Sequence, residues 1–342
     1  MNTHKLIEFL AKVALPLALA VAILWWMYRG LQWEQLRHVL SGGMSWTWML
    51  LSMPFGILAQ VLRGMRWQQV MRPMGECPRL HVCVNAVFLS YASSLVVPRV
   101  GEVLRCGVLR RYEGVNFGRS VGTVVTERVV DMVLVIVLSL VVFVSQVPVF
   151  ATFFRATGVS MGGLLSSFSP AGWAVAFACM LFVGAAALRL LRRAGLFSRT
   201  RAVVADLRDG LLSVRGVDSP LLFMLYSLGI WVCYFLHFYL TFFCFEATSG
   251  LGVMAALVAF VVGAFAVLVP TPNGAGPWHF AVKSVLVLYA VPQTDASIFV
   301  LIVHTLQTLL VVLLGLYALL ALAFTRRRSL PAPCNIPSGH AA

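Results

Sequence analysis

The sequence predicts an all-α fold. It reads as a polytopic membrane helical bundle of about six spans plus two re-entrant hairpins, about eight membrane segments, with the pattern of an inverted repeat. Three observations predict it. Of the 342 residues, 60% are hydrophobic and 11% charged, against roughly 25% charged in a soluble domain. Several apolar runs reach about 18–25 residues, the length of helix that crosses hydrocarbon. Short basic stretches separate these runs, as the excess of Lys and Arg in cytoplasmic loops requires. Lipid offers the backbone no hydrogen-bond partner, so the runs are helical or shielded by helices. The alternating pattern of a membrane barrel is absent.

The first span, 13–28, follows Lys5 and Lys12. Ala18, Leu19 and Ala20 make a weak cleavage signal, but the run continues through Trp25 and Trp26 to an interface anchor, so an uncleaved span is expected. Residues 32–40 form a short amphipathic stretch on the membrane surface. The second span, 44–62, ends in Arg63, Gly64, Met65, Arg66 and Trp67. Arg63, Arg66 and Trp67 read as anchors at the cytoplasmic interface. An apolar arm follows at 80–97, then Pro98, Arg99, Val100, Gly101 and Glu102, then a short arm to Leu109. Full spans are expected at 121–144, 171–188, 221–245 and 296–324, with a basic loop at 189–219. Between the last two spans, an arm at 251–269 breaks at 270–277 and returns at 278–291.

Charge decides the topology of the two interrupted segments. With the N-terminus inside, 63–79 is inside after two spans. A full crossing by 80–97 would put the five Arg between Arg99 and Arg119 outside, against the positive-inside rule. The arm after Gly101 is also too short: about 9 residues at 1.5 Å give roughly 14 Å against a core near 30 Å. A hairpin entering and leaving on the cytoplasmic side, with residues 98–102 at its tip, removes both conflicts. Residues 251–291 form the second hairpin, entered from outside, and both termini are cytoplasmic. Broken helices entering from opposite faces are the signature of inverted repeats, which place substrate near the midplane. Residues 1–328 read as one transmembrane domain and 329–342 as a disordered cytoplasmic tail.

The net charge of +14 is explained by the loop arginines, so no nucleic-acid partner is expected. Cys77, His81 and Cys83 lie close together without a second ligand pair, so no metal site and no cofactor are expected. There is no Gly-rich phosphate loop with Lys, no HExxH and no GxSxG, and no enzymatic activity is expected.

Charges inside a membrane are functional candidates by default. Arg99, Glu102 and Arg105 lie on the first hairpin, with Glu102 and Arg105 spaced to pair along one helix face. A guanidinium forks onto phosphate, and the helix after Pro98 presents free N–H groups to an anion. Together they suggest a phosphate seat. Glu127, Arg128 and Asp131 open a span, where Arg128 and Asp131 pair and Glu127 takes Arg99 or Arg105 as its mate. In the second hairpin Asn273, Gly274 and Gly276 allow close backbone approach, beside His279 and, in the last span, His304. Arg99, Glu102, Arg105, Glu127, Arg128, Asp131, Asn273, Gly274, Gly276, His279 and His304 are the candidate substrate contacts.

The ordered set Arg63-Gly64-x-Arg66-Trp67, Pro98-Arg99-Val100-Gly101-Glu102-x-x-Arg105, Thr126-Glu127-Arg128-x-x-Asp131 and Pro272-Asn273-Gly274-x-Gly276 resembles the lysylphosphatidylglycerol synthase transmembrane-region family, flippase-like membrane proteins. The resemblance covers about residues 10–325. It implies a lipid-handling domain in the cell inner membrane, fused in some members to a soluble aminoacyl-transferase domain that has no counterpart in these residues. Lipid translocation carries over; synthesis does not. Membrane phospholipid is the expected partner, and a homo-oligomer is compatible with the reading. His279 stands where the family has Glu and His304 where it has Arg, which implies a His pair in place of an ion pair. The competing readings are a secondary transporter of a small soluble anion and a non-catalytic scaffold for a separately encoded enzyme.

Overall fold

The computed structural model describes residues 18, 20–29, 33–97, 100–145, 216, 217, 219–269 and 271–328. Among them the secondary structure is helical apart from one β-bridge, Met44 to Phe245. Eight main helices follow in order: α1 Trp46–Met71, α2 Leu80–Ser94, α3 Val100–Glu113, α4 Phe117–Ser145, α5 Pro220–Tyr239, α6 Val253–Ala266, α7 Pro277–Leu288 and α8 Gln293–Ala323. Trp46–Met74, Pro220–Cys244 and Gln293–Ala323 are long and apolar enough to cross a membrane. α4 is as long, but its first half carries Glu127, Arg128 and Asp131. The expected span at 171–188, nearly all of the basic loop at 189–219, the tail at 329–342, and Pro98 and Arg99 lie outside the described residues.

The ends of the helices sort into two groups. At one end Arg79 Nε donates to Glu113 Oε1 at 2.6 Å, joining the start of α2 to the end of α3. Arg328 N donates to Tyr112 O at 2.9 Å, which brings the end of α8 there. Arg119 near the start of α4 meets Glu76 after α1 at 3.7 Å, and Gln69 Nε2 donates to Ser219 O before α5 at 2.9 Å. This end carries Arg72, Arg79, Arg110, Arg111, Arg119, Arg326, Arg327 and Arg328. At the opposite end Ser45 N donates to Cys244 O at 2.8 Å, joining the start of α1 to the end of α5.

The pair α2–α3 therefore enters and leaves at the basic end. The pair α6–α7 sits between the far end of α5 and the start of α8, so it enters and leaves at the other. The arms are 15, 14, 14 and 12 residues long, about 18–22 Å at 1.5 Å per residue, and none alone spans a core of about 30 Å. The second arm of the first hairpin does run further than the sequence suggested, to Glu113 instead of Leu109, because Arg110 and Arg111 continue the helix at the basic end. Each hairpin has its own core: Trp67, Val82, Cys106 and Leu109 around the first, Phe238, Phe242, Val282 and Phe299 around the second.

Two backbone details shape the hairpins. At the tip of the second, Asn273, Gly274 and Gly276 have φ of 51°, 72° and 90°. Gly takes up such conformations without a Cβ penalty and Asn more readily than most residues, which accounts for the PNGAG run. In the first, a Cβ on Gly101 would collide with the backbone carbonyl oxygen of Ser90, so only glycine lets α3 lie this close to α2. Gly101→Ala is expected to destabilise by about 1–3 kcal/mol through overpacking, although Ala is the better helix former by about 1 kcal/mol. The sign of the change in unfolding midpoint in detergent checks this close approach: stabilisation would mean that it does not exist.

Large apolar side chains are exposed along whole faces: Met132, Val133, Val137 and Val141 on α4, Leu221, Leu225 and Val232 on α5, Leu313, Leu316 and Leu320 on α8. In water such faces would aggregate; against lipid they match their solvent.

Candidate functional site

α1 presents Arg63 and Arg66, three residues apart. α4 presents Glu127 and Asp131, four apart. Both spacings put their pairs on one helix face, and the two faces meet. Arg63 Nη1 donates to Asp131 Oδ2 at 2.7 Å and Arg66 Nη2 to Asp131 Oδ1 at 2.9 Å, so one carboxylate holds two guanidiniums. Arg105 on α3 donates to Glu127 Oε2 at 2.7 Å. Arg66 Nε lies 3.6 Å from Glu127 Oε1, and Arg66 Nη1 donates to Ser227 Oγ on α5 at 3.1 Å. Arg105 also stacks over Trp67, 4.6 Å from the ring centre, and Trp67 Nε1 donates to Thr123 Oγ1 at 2.9 Å. Arg63 lies about 6 Å from the rings of Tyr91 and Tyr234, whose hydroxyls bond to each other at 3.0 Å. These five charged side chains are buried, none more than 8% exposed.

The network reaches the surface at one pair. Arg128 Nε lies 3.2 Å from Glu102 Oε1, with side chains 40% and 39% exposed, and Arg128 Nη2 is 3.8 Å from Asp131 Oδ2. Around the pair, Val100 and Val103 of α3 and Val125, Val129 and Met132 of α4 are exposed. The pair thus sits in an apolar surround.

Charge in this network does not cancel. Among the described residues its buried part has three guanidiniums, Arg63, Arg66 and Arg105, against two carboxylates, Glu127 and Asp131; the rim adds one of each. One positive charge is left over. It is held well inside the helices, since Arg63 is eight residues from the end of α1, about 12 Å, and Glu127 ten residues from the start of α4, about 15 Å.

Several expectations are corrected here. Arg63, Arg66 and Trp67 are not interface anchors: they are at most 3% exposed, because the carboxylates that need them lie inside, one to two turns in from the end of α1. Arg105 does not pair with Glu102. The two positions point about 60° apart on the helix, so Arg105 turns inward to the buried Glu127 while Glu102 turns outward to Arg128. With its guanidinium committed to Glu127, Arg105 is not an open phosphate ligand. Arg99 falls outside the described residues. Arg128 does meet Asp131, as expected, and Glu127 does take Arg105. Sequence reasoning did not find Ser227, Tyr91, Tyr234 or Thr123. Ser227 and Tyr234 are seven apart, two turns, on one face of an apolar span, and that was a usable signal.

The second hairpin carries a separate polar group. The His279 and His304 rings lie 4.4 Å apart, and Trp278 is 5.1 Å from His304. Asn273 Nδ2 donates to Thr308 Oγ1 at 2.8 Å. Thr308 Oγ1 lies 3.5 Å from His304 Nδ1, and His304 Nε2 lies 3.1 Å from the Asn273 carbonyl. A carbonyl only accepts, so His304 Nε2 donates to Asn273 O, and the Thr308 hydroxyl, which accepts from Asn273 Nδ2, closes the circuit at Nδ1. Gly276 N donates to His279 Nδ1 at 3.3 Å. Gly274 and Gly276 shape the turn beneath. Thr308→Val opens the circuit and removes the partner of the half-buried Asn273 amide and His304 Nδ1. The expected loss is about 0.5–1.5 kcal/mol, read as a lower unfolding midpoint in detergent.

Helices of this length and apolar surface, two hairpins entering from opposite ends and ion pairs buried between α1, α3 and α4 define a polytopic α-helical integral membrane protein. A family model described as the lysylphosphatidylglycerol synthase TM region matches residues 13–315, and the chain belongs to that family. No curated protein and no solved structure matches it significantly.

Proposed function

We propose that the chain is a lipid-handling protein of the cell inner membrane, with both termini cytoplasmic. In this reading it is a flippase-like translocator of an anionic phospholipid or lipid-linked headgroup. One observation carries the reading: among the described residues the buried network holds one guanidinium more than its carboxylates and reaches the surface at Arg128 and Glu102, beside exposed Val and Met side chains. An uncompensated charge in a low-dielectric interior is costly, and an anion arriving through the rim would offset it. A soluble anion would need an aqueous vestibule, whereas the exposed Val and Met side chains at the rim suit a ligand that arrives with hydrocarbon. A headgroup that exchanges with Glu102 for Arg128 would be drawn below the lipid surface, which is the costly part of moving it between leaflets.

The test uses the full chain in vesicles of phosphatidylcholine and phosphatidylglycerol, with a trace of headgroup-labelled phosphatidylglycerol and an impermeant quencher. Expected is exchange between leaflets at least tenfold faster than in protein-free vesicles, with labelled phosphatidylcholine near background. Equal rates for the two lipids, or no exchange above background, would overturn the reading.

A further inference from the structure

α4 carries two features on one broad face. One is the Arg128–Glu102 opening. The other lies toward the opposite end of the same helix, where α4 and α6 enclose an apolar groove of about 350 Å³, at the lower end of the range of small-ligand pockets of about 300–1,000 Å³. Val142, Val258 and Val261 are buried at its floor, and Ile136, Leu140 and Phe265 are exposed at its rim. Among the described residues the groove is therefore exposed at this rim. Among the described lining residues the one hydroxyl is Ser139's, and its proton is donated to its own helix at Val135 O.

We propose that this groove seats an acyl chain of the lipid whose anionic headgroup engages Arg128, so that the ligand is a chain-bearing phospholipid held at two points along α4. The inference rests on the lipid-handling reading and adds a second contact to it. Register places Arg128 and the groove on one side of α4: from Arg128, Ser139 is about 20° round the helix, Val142 about 40° the other way, Ile136 about 80° and Leu140 about 120°, so the groove is centred about 45° from Arg128. Spacing supports the inference too. The groove residues of α4, from Ile136 to Val142, lie about 12–21 Å beyond Arg128 along the axis. One leaflet's chains fill about half of the 30 Å core, roughly 15 Å, so a chain hanging from a headgroup at Arg128 reaches the groove. The polarity split selects the occupant: charge at one point of the face and hydrocarbon at the other match an anionic amphiphile. A packed helix would need no cation at a fixed distance.

The test is photolabelling of the wild-type chain in vesicles by phosphatidylglycerol bearing a diazirine near the methyl end of one acyl chain, with the labelled peptides mapped. Expected is labelling centred on Ser139, Leu140, Val258 and Phe265, at least fivefold above that given by the matching phosphatidylcholine probe. Arg128→Gln should lower it at least fivefold. Equal labelling by the two probes, indifferent to Arg128→Gln, would mean ordinary annular lipid and would overturn the inference; so would a groove closed to both probes, whether by another segment of the chain or a second copy. Ser139→Phe, which fills the groove, should cut phosphatidylglycerol exchange at least fivefold. The two readings can fail separately. Selective labelling without leaflet exchange would leave the seat standing and remove translocation. Exchange at full rate in Ser139→Phe, without selective labelling, would remove the seat and leave translocation.

Discussion

Asp131→Asn is expected to destabilise the folded protein by about 3–5 kcal/mol, the cost of stranding buried charge when one partner of an ion network is removed. Asp131 is the only carboxylate among the described residues that accepts from two buried guanidiniums, Arg63 and Arg66. Asn keeps the shape and loses the charge, so the buried part of the network goes from three positive and two negative groups to three and one. Neither Arg63 nor Arg66 has an aqueous escape, being 3% and 0% exposed. The measurement is the unfolding midpoint and slope in a mild detergent, followed by tryptophan fluorescence, since Trp67 lies beneath Arg105. A second substitution sharpens the result. In Arg63→Met/Asp131→Asn a stranded cation is gone and part of the loss should return, giving a coupling energy well outside the few tenths of a kcal/mol expected for independent sites. Additive losses would mean that the Arg63–Asp131 contact does not exist.

Much of this arrangement was legible in the sequence, and the misreadings share one cause. The hairpins were legible because two independent constraints, helix length against membrane thickness and the side on which arginines fall, rejected every simpler path for 80–119. The meeting of His279 and His304 was legible through the family resemblance, since both positions depart from it together. Arg63 and Arg66 were not legible. A cation that anchors a helix end and a cation buried two turns further in occupy nearly the same place in the sequence, and only the carboxylates of α4, about sixty residues later, distinguish them. The Glu102–Arg105 pairing failed for a related reason. Spacing within a helix identifies candidate neighbours, but the low-dielectric interior decides, and there an unpaired Glu127 would have cost more than an unpaired Glu102 at the rim. Ser227 and Tyr234 were overlooked because a hydropathy reading treats a span as uniform, when two polar positions two turns apart already mark the side that faces something polar.

The rim pair should separate recognition from stability, because its two members are expected to shift the lipid dependence of exchange in opposite directions. Arg128→Gln removes the exposed guanidinium and leaves three guanidiniums facing three carboxylates among the described residues of the network, so no surplus charge is stranded. Half-exposed ion pairs contribute about 1 kcal/mol or less to stability, and the unfolding midpoint should move little. Transport should not be spared: a hydrogen bond to a charged group is worth about 1.5–3 kcal/mol, so exchange of labelled phosphatidylglycerol should fall about tenfold to a hundredfold at limiting lipid. Glu102→Gln removes the carboxylate that competes for Arg128 at 3.2 Å. The guanidinium then keeps only its longer contact with Asp131, at 3.8 Å, and the phosphatidylglycerol fraction giving half-maximal exchange should drop severalfold. The maximal rate should fall as well, because a headgroup no longer displaced by Glu102 leaves slowly. A purely structural pair would behave otherwise, with both substitutions lowering exchange in step with stability and neither changing the lipid dependence. Parallel losses of that kind, at unchanged half-saturation, would show that Arg128 holds the fold together and does not select the lipid.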